Sequence, residues 1–371
     1  MGEEVTVGAS LALTGRYAPQ GGQAAAGLRL WARDANAAGG FSLGEGAQRP
    51  LRLVICDDGS RGAGVEANLA HLLDEQPVDV VFGPYGSDLA LRAARLAAAR
   101  GRILWNHAGA SDAVGAGGAV VNGLAPASAY FAGLPAVLRG GHPDGDRLAI
   151  LYGERGTFGT HVASGAEVAA RAAGLRHVAS FPFAPPLAER PGVLRAVRDW
   201  RPRAVICAGR FEDDVWLAAR RAELGQELAA FAAVGAGLTA FGAAAGSAAE
   251  GTIGPSHWEP AARPGPDGAA SAAFAAAYAA AYDEPPQYPA ALAYSMGLVL
   301  TTCALMAGSL VDSALRAAAA ALEVLTPVGR FRLDPATGRQ VGYRPLLVRW
   351  QHGAKVLIPQ GAHPTDLPMG R

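Results

Sequence analysis

The chain has 371 residues, of which 50% are hydrophobic and 17% charged, and its formal net charge at pH 7 is +0. This length allows two domains of ordinary size with a large core. The sequence has neither a basic stripe nor an acidic run, so its charge does not favour nucleic acid or a membrane surface as a partner. The three cysteines, Cys56, Cys207 and Cys303, stand far apart in apolar runs, which argues against a zinc motif or a disulfide framework.

The first part of the chain alternates short apolar runs with longer runs of helical period. We predict strands at residues 5–11, 51–56, 78–82 and 103–105, and helices at 21–37, 64–73 and 89–99. Repeated strand–helix units of this kind predict a parallel sheet with helices on both faces.

A second series of the same kind follows. Strands are predicted at 147–152, 177–181, 204–207 and 229–234, with helices at 158–173, 192–200 and 213–224. The predicted fold class is therefore α/β, and two separate series favour two doubly wound parallel-sheet lobes. The main competitor is a single (β/α)₈ barrel, whose even strand–helix rhythm would have to continue to the C-terminus.

The last third breaks that rhythm. It contains long apolar helix patterns at 269–282 and 290–305, and strands at 329–333 and 346–350 that we predict to pair antiparallel. No apolar run reaches the length that spans a bilayer, because Gly, Pro or charge interrupts the Ala-rich stretches. The chain begins Met1-Gly2-Glu3-Glu4 without a signal peptide, so we expect either a cytosolic protein or a leader that Met-Gly has replaced.

The most informative motif is the turn Gly83-Pro84-Tyr85-Gly86-Ser87-Asp88, which joins a predicted strand to a predicted helix. Such a turn directs backbone N–H groups and a serine hydroxyl towards one point, which suits a carboxylate. Ligands of open parallel sheets bind at strand ends of this kind. The alternative is that Ser87 or Asp88 only caps the helix.

An ordered set of short motifs resembles the type I periplasmic solute-binding proteins, in particular the branched-chain amino acid and amide binders of ABC importers. The motifs follow the first three predicted strands and precede one helix of the second series: Thr14-Gly15-Arg16-Tyr17, Asp57-Asp58, Gly83-Pro84-x-x-Ser87 and Gly156-Thr157-Phe158-Gly159. The resemblance covers nearly the whole chain.

This resemblance implies two lobes joined by a three-crossover hinge, with a ligand cleft between them. Lobe one would comprise residues 1–122 and 254–327, and lobe two residues 123–253 and 328–371. Closure of the lobes would capture a small polar organic ligand for the membrane subunits of an ABC permease. The implied location is periplasmic or cell-surface anchored, with no cofactor, no metal, no nucleic acid and no membrane insertion of the mature chain.

Matched position by position, the family's ligand contacts fall on loops after the predicted strands. In lobe one they fall on Ser87, on the segment Asn106-His107-Ala108-Gly109-Ala110-Ser111, and on either Tyr17 or Gln20 in the first loop. Tyr85, in the Ser87 turn, is a further candidate because its ring could stack on a ligand. In lobe two they lie before one helix and at one strand end, at Phe158, Arg210 and Phe211.

Structural roles stay open for several of these residues. Arg210 could hold a carboxylate through two parallel hydrogen bonds, or it could form a surface ion pair with Glu212 or Asp213. His107 could contact the ligand or be a buried structural histidine. Tyr85 and Trp105 could stack on an aromatic ligand, or both could be packing residues at strand ends.

The sequence departs from the family at two places that bear on the ligand. Amino acid binders of this family place an acid after the strand matching 229–234, to pair with the ligand ammonium, whereas this chain has Gly235-Ala236-Gly237. Trp105-Asn106-His107 replaces the usual Ser-Pro. We therefore expect a ligand with a carboxylate or similar acceptor and no need for an ammonium, unless Asp88, Glu212 or Asp213 takes the place of the missing acid.

The sequence does not favour an enzyme. It contains no Gly-x-Ser-x-Gly, no His-Glu-x-x-His and no phosphate-binding loop, and it shows no nucleophile paired with a base. The expected function is that of an extracytoplasmic solute-binding protein of an ABC importer. The alternative is a cytosolic ligand-sensing regulator of the amide-sensor type on the same fold.

Overall fold

A computed structural model describes residues 4–44, 48–115, 118–139, 147–225, 228–262 and 268–359. The chain divides into two compact units, each assembled from separate stretches of sequence. Unit 1 comprises residues 1–126 and 260–343, and unit 2 comprises residues 127–259 and 344–371.

The described residues form strands and helices in the following order. The strands are β1 Val5–Leu11, β2 Leu51–Asp57, β3 Val80–Phe82, β4 Leu104–Asn106, β5 Val120–Asn122, β6 Arg147–Gly153, β7 His177–Phe183, β8 Ala204–Ala208, β9 Ala230–Ala233, β10 Ile253–Ser256, β11 Val324–Thr326, β12 Gly329–Phe331, β13 Leu346–Gln351 and β14 Ala354–Ile358. The α-helices are α1 Ala18–Ala37, α2 Gly62–Ala70, α3 Ser87–Ala98, α4 Leu134–Arg139, α5 Phe158–Ala172, α6 Pro191–Trp200, α7 Phe211–Ala218, α8 Thr239–Ala245, α9 Ala269–Tyr282, α10 Tyr288–Ala307 and α11 Asp312–Ala321.

Unit 1 is built on a parallel sheet with the strand order β2-β1-β3-β4-β5. Successive side chains of a strand point to opposite faces. Val80 and Phe82 of β3 therefore pack with α1 and α10 on one face, while Val81 packs with α2 and α3 on the other. The loops after β3 and β4 leave the sheet side by side, because Phe82 is paired with Trp105.

Unit 2 contains a sheet with the order β14-β13-β10-β9-β8-β6-β7. Strands β6 to β10 run parallel, whereas β13 pairs antiparallel with both β10 and β14. The predicted α/β class with two parallel-sheet lobes is confirmed, and separate sheets exclude the barrel.

One predicted pairing is wrong. Strand β12 does not pair with β13; it forms a two-stranded ribbon with β11 in unit 1. An isolated antiparallel bridge joins Leu333, just after β12, to Gln340. The chain therefore leaves unit 1 after Tyr343, whereas the sequence placed this crossover at 327/328. The other two boundaries lie at 126/127 and 259/260, against the expected 122/123 and 253/254.

Helix α10 corrects the expectation that no segment could span a membrane. Its 20 residues are long and apolar enough to do so by length and composition. In this structure 61% of its most apolar window is buried, chiefly because it packs along α1 in the core of unit 1. A buried core helix passes the same test, so α10 is weak evidence for a membrane span.

Candidate functional site

The turn between β3 and α3 brings Ser87 to the carboxyl edge of the unit 1 sheet. Gly86 precedes the helix with a φ of +98°, a conformation that glycine adopts readily. A Cβ on Gly86 would lie 3.0 Å from the ring of Tyr17. The helix cap is thus Gly86, and neither Ser87 nor Asp88 caps it as the alternative expectation held.

The Ser87 hydroxyl connects the loops that follow β3 and β4. The backbone N–H of Ser111 donates to Ser87 Oγ over 3.0 Å. A hydroxyl that accepts one hydrogen bond still has its own proton to donate. Ser87 can therefore donate to a ligand acceptor at the place where the two loops meet.

Asn106 shapes the loop that carries Ser111. Its Oδ1 accepts from the N–H groups of Ala108 at 3.3 Å and Gly109 at 2.8 Å. Its Nδ2 donates to the Gly109 carbonyl at 2.8 Å and to Asn122 Oδ1 at 2.9 Å. Both donors and both acceptors of the amide are used, so the structure gives Asn106 a role within the loop and leaves no free hydrogen bond for a ligand.

Gly109 and Ala110 are also part of this loop. A Cβ on Gly109 would lie 2.2 Å from the Cβ of Ala90 on α3, so close packing of the loop against the helix requires glycine here. Ala110 is buried with a small side chain. These two residues could offer a ligand only backbone groups.

His107 is fully buried, and neither of its ring nitrogens has a hydrogen-bond partner among the described residues. Its ring centroid lies 6.4 Å from that of Phe82. Burial lowers its pKa to about 4, so the imidazole is neutral at pH 7. A neutral imidazole offers one donor and one acceptor, and leaving both unused in the interior is unfavourable.

Aromatic side chains lie beside the Ser87 turn. The rings of Tyr17 and Tyr85 are 5.4 Å apart, and the Arg16 guanidinium lies 4.5 Å from the Tyr17 ring centroid. The hydroxyls of Tyr85 and Tyr288 are 2.9 Å apart, and burial together with Tyr288 raises the Tyr85 pKa well above its usual value.

Three other residues of unit 1 have different surroundings. Gln20, half-buried at the start of α1, has an Oε1 without a partner among the described residues. Trp105 is fully buried in the core, 6.3 Å from Phe82 between ring centroids, so it packs. Tyr288 was missed in the sequence because its contact with Tyr85 joins distant parts of the chain.

In unit 2, Phe158 at the start of α5 belongs to an aromatic group. Its ring lies edge-on to Tyr130 at 5.6 Å, and the Tyr130 hydroxyl is 3.0 Å from Nε2 of His257. His257 is buried, which lowers its pKa to about 3. No local pattern marked Tyr130 or His257, since they come together only through folding.

Arg210 precedes α7 and is half-buried. No ion pair joins its guanidinium to Glu212 or Asp213 in the described residues; instead its backbone N–H donates to Asp213 Oδ2 over 3.1 Å. Phe211 packs edge-on against Phe241 with ring centroids 6.5 Å apart, at the rim of the unit 2 core.

The segment Gly235-Ala236-Gly237 carries no acid, but a carboxylate reaches it from α7. Asp214 Oδ2 accepts from the Gly235 N–H at 2.7 Å, and Oδ1 accepts from Gly209 at 3.1 Å. Asp214 is almost fully buried, and desolvation raises its pKa to about 7. Its oxygens thus bind backbone groups within unit 2.

A family model described as periplasmic binding protein matches residues 4–354. A leucine binding protein, LivK, from Thermotoga maritima is 18% identical with a TM-score of 0.83, covering 98% of this chain and 100% of that one. LivJ from Streptococcus pneumoniae, solved in complex with isoleucine, is 18% identical with a TM-score of 0.79, covering 96% and 99%.

A third solved structure was obtained with a different class of ligand. The solute binding protein of an ABC transporter from R. palustris, in complex with benzoate, is 22% identical with a TM-score of 0.76, covering 97% of each chain. At these identities the structures show a shared fold, while the family model spans nearly all of the sequence. This chain belongs to the type I periplasmic binding protein family.

Proposed function

We propose that this chain is an extracytoplasmic solute-binding protein of an ABC importer and that it captures a small organic acid. The observation that carries the proposal is that the Ser87 hydroxyl accepts from the Ser111 N–H, which leaves its own proton able to donate. It lies at the carboxyl edge of a parallel sheet, where α/β proteins bind ligands. Membership of the periplasmic binding protein family supports the importer role and an ABC permease as partner.

The charges of unit 2 favour a ligand without an ammonium group. Asp214 binds the Gly235 and Gly209 amides, and Asp213 binds the amides of Leu187 at 2.6 Å and Arg210. Both carboxylates are buried, and each of their oxygens already accepts a backbone hydrogen bond inside unit 2, which disfavours them as partners for a ligand ammonium. Burying an ammonium without a partner is costly.

Recognition of the acid would begin in unit 1. The Ser87 hydroxyl would donate a charge-assisted hydrogen bond to the carboxylate. The rings of Tyr17 and Tyr85 suit an apolar ligand body. We therefore rank aromatic and short aliphatic acids above leucine-like amino acids.

A thermal-shift screen with matched ligand pairs tests this proposal. Each pair contains an acid and its α-amino counterpart: 3-phenylpropanoate with phenylalanine, and 4-methylpentanoate with leucine. A ligand at about a thousand times its Kd stabilises the folded state by about 4 kcal/mol, which a melting curve resolves. We expect the acids to raise the Tm more than their amino counterparts. A screen in which only the α-amino acids raise the Tm contradicts the proposal.

A further inference from the structure

Two buried asparagine side chains face each other across neighbouring strands of unit 1. Asn106 ends β4 and Asn122 ends β5, and the two are paired in register. Asn106 Nδ2 donates to Asn122 Oδ1 over 2.9 Å. Both residues are less than a tenth exposed, so this hydrogen bond is shielded from water.

Asn122 also makes hydrogen bonds to two other segments of unit 1. Its Nδ2 donates to the carbonyls of Val114 at 3.4 Å and Gly338 at 3.2 Å. A Cβ on Gly115 would lie 2.6 Å from this nitrogen, so the backbone approaches Asn122 closely. Arg339, next to Gly338, lies 3.2 Å from the carboxylate of Asp112. The Arg339–Asp112 ion pair therefore connects residues 338–339 to the loop that follows β4, next to the Asn122–Gly338 hydrogen bond.

The Ser111 loop has no regular secondary structure from 107 to 111. Its hydrogen bonds include those of Asn106 with Ala108 and Gly109, the bond from Ser111 to Ser87, and a long one from the Gly86 N–H to the Ala108 carbonyl at 3.3 Å. Asn106 can make these loop contacts only while its amide keeps its orientation. The hydrogen bond to Asn122 Oδ1 on the neighbouring strand holds the amide in that orientation. Buried amides that lose a partner are costly, so the two side chains support each other.

We propose that Asn122 is a positioning residue for the ligand site, acting through Asn106 to hold the Ser111 loop against Ser87. This inference rests on the proposed function for the meaning of the site, but the positioning itself does not require a ligand. Removing the Asn122 amide leaves Asn106 without its cross-strand acceptor. The loop then loosens, and the Ser111 N–H no longer stays on Ser87 Oγ.

Hydrogen exchange of the unliganded protein tests the positioning. In Asn122→Ala we expect the amides of residues 108–111 to exchange about tenfold faster, the change expected from losing one buried hydrogen bond. The control is Asn36→Ala. Asn36 also makes two amide contacts, to the backbone of Leu51 at 2.8 Å each, but at the opposite end of the same sheet.

The control variant should leave exchange at 108–111 unchanged. Equal exchange at 108–111 in Asn122→Ala and the unmodified protein overturns the inference, as does an equal rise across all core amides of unit 1. If Asn122→Ala does not fold, Asn122→Ser is measured in the same way, because it also removes the amide and is judged by the same outcomes.

A second experiment measures the affinity for 3-phenylpropanoate, to test whether the position of the Ser111 loop affects ligand binding. We expect Asn122→Ala to weaken its binding about tenfold and Asn36→Ala to leave it unchanged. If the unmodified protein does not bind this acid, the result counts against the proposed ligand class. The exchange experiment then still decides whether Asn122 positions the loop.

Discussion

The Ser87 hydroxyl is the side-chain group on which the proposed ligand capture depends most. If Ser87 donates to the ligand as proposed, Ser87→Ala should remove a hydrogen bond to a charged head and cost roughly 1.5–3 kcal/mol, or about ten- to a hundredfold in affinity. Isothermal titration calorimetry measures this with whichever acid raises the Tm most. Because Gly86 is the helix cap, we expect no loss of capping energy.

Ser295→Ala is a suitable control for Ser87→Ala. Ser295 is a buried serine of α10 whose Oγ has no partner among the described residues. Its removal should leave the affinity unchanged. Unchanged affinity in Ser87→Ala would remove Ser87 from the site.

His107 gives unit 1 a characteristic pH dependence. Its pKa of about 4 lies below the usual 6.5, so between these values the unfolded chain binds a proton that the folded protein does not. The stability from a neutral His107 is therefore present above pH 6.5 and is lost as the pH falls towards 4. The loss is about 1.4 kcal/mol per pH unit. Urea unfolding at pH 7.5 and pH 5 should show a smaller decrease for His107→Gln, and equal decreases would refute this assignment.

At the residue scale, the sequence pointed to the Ser87 turn and the Ser111 loop. The structure brings them together through hydrogen bonds from the Ser111 N–H to Ser87 Oγ and from the Gly86 N–H to the Ala108 carbonyl. The sequence could not separate a residue that faces a ligand from one that shapes a loop. Asn106 and Trp105 stand beside each other in the chain, yet one is used within the loop and the other packs in the core. The role of Asn106 depends on its partner Asn122 in β5, and β5 was not predicted as a strand.

At the scale of elements, glycines control how closely α1 and α10 pack. A Cβ on Gly27 would lie 2.3 Å from the carbonyl oxygen of Ala290, whereas a Cβ on Gly22 meets nothing within 4 Å. We expect Gly27→Ala to destabilise the protein by about 1–3 kcal/mol through overpacking. Gly22→Ala on the same helix should stabilise it by about 0.5–1 kcal/mol.

Urea denaturation of both variants measures the two effects. Similar unfolding free energies for Gly27→Ala and Gly22→Ala would show that the helices do not depend on this close contact.

Local periodicity predicted whether a segment forms a strand or a helix, but it did not predict which strand pairs with β12. Strand β1 was predicted over its observed range, Val5–Leu11, because every second residue is apolar, which is the period of a strand. The partner of β12 was predicted wrongly, because both β11 and β13 offer short apolar runs and only folding decides between them. Because β12 pairs with β11, the chain stays in unit 1 until Tyr343 and enters unit 2 at Arg344.

At the scale of the whole molecule, the two units have separate sheets and separate cores. Units of this kind are expected to move relative to one another unless a large interface joins them. We predict that a tightly bound acid changes the radius of gyration measured by small-angle X-ray scattering. Identical profiles with and without a saturating ligand would contradict capture by closure.

The central claim is that the protein binds a carboxylate without needing an ammonium. Calorimetric titration of the unmodified protein with 3-phenylpropanoate and with phenylalanine tests it most directly, since the two ligands differ only in the α-amino group. We predict measurable binding of 3-phenylpropanoate and weaker binding of phenylalanine, because the Asp213 and Asp214 carboxylates are buried and already accept backbone hydrogen bonds within unit 2. Tighter binding of phenylalanine than of 3-phenylpropanoate would contradict the account.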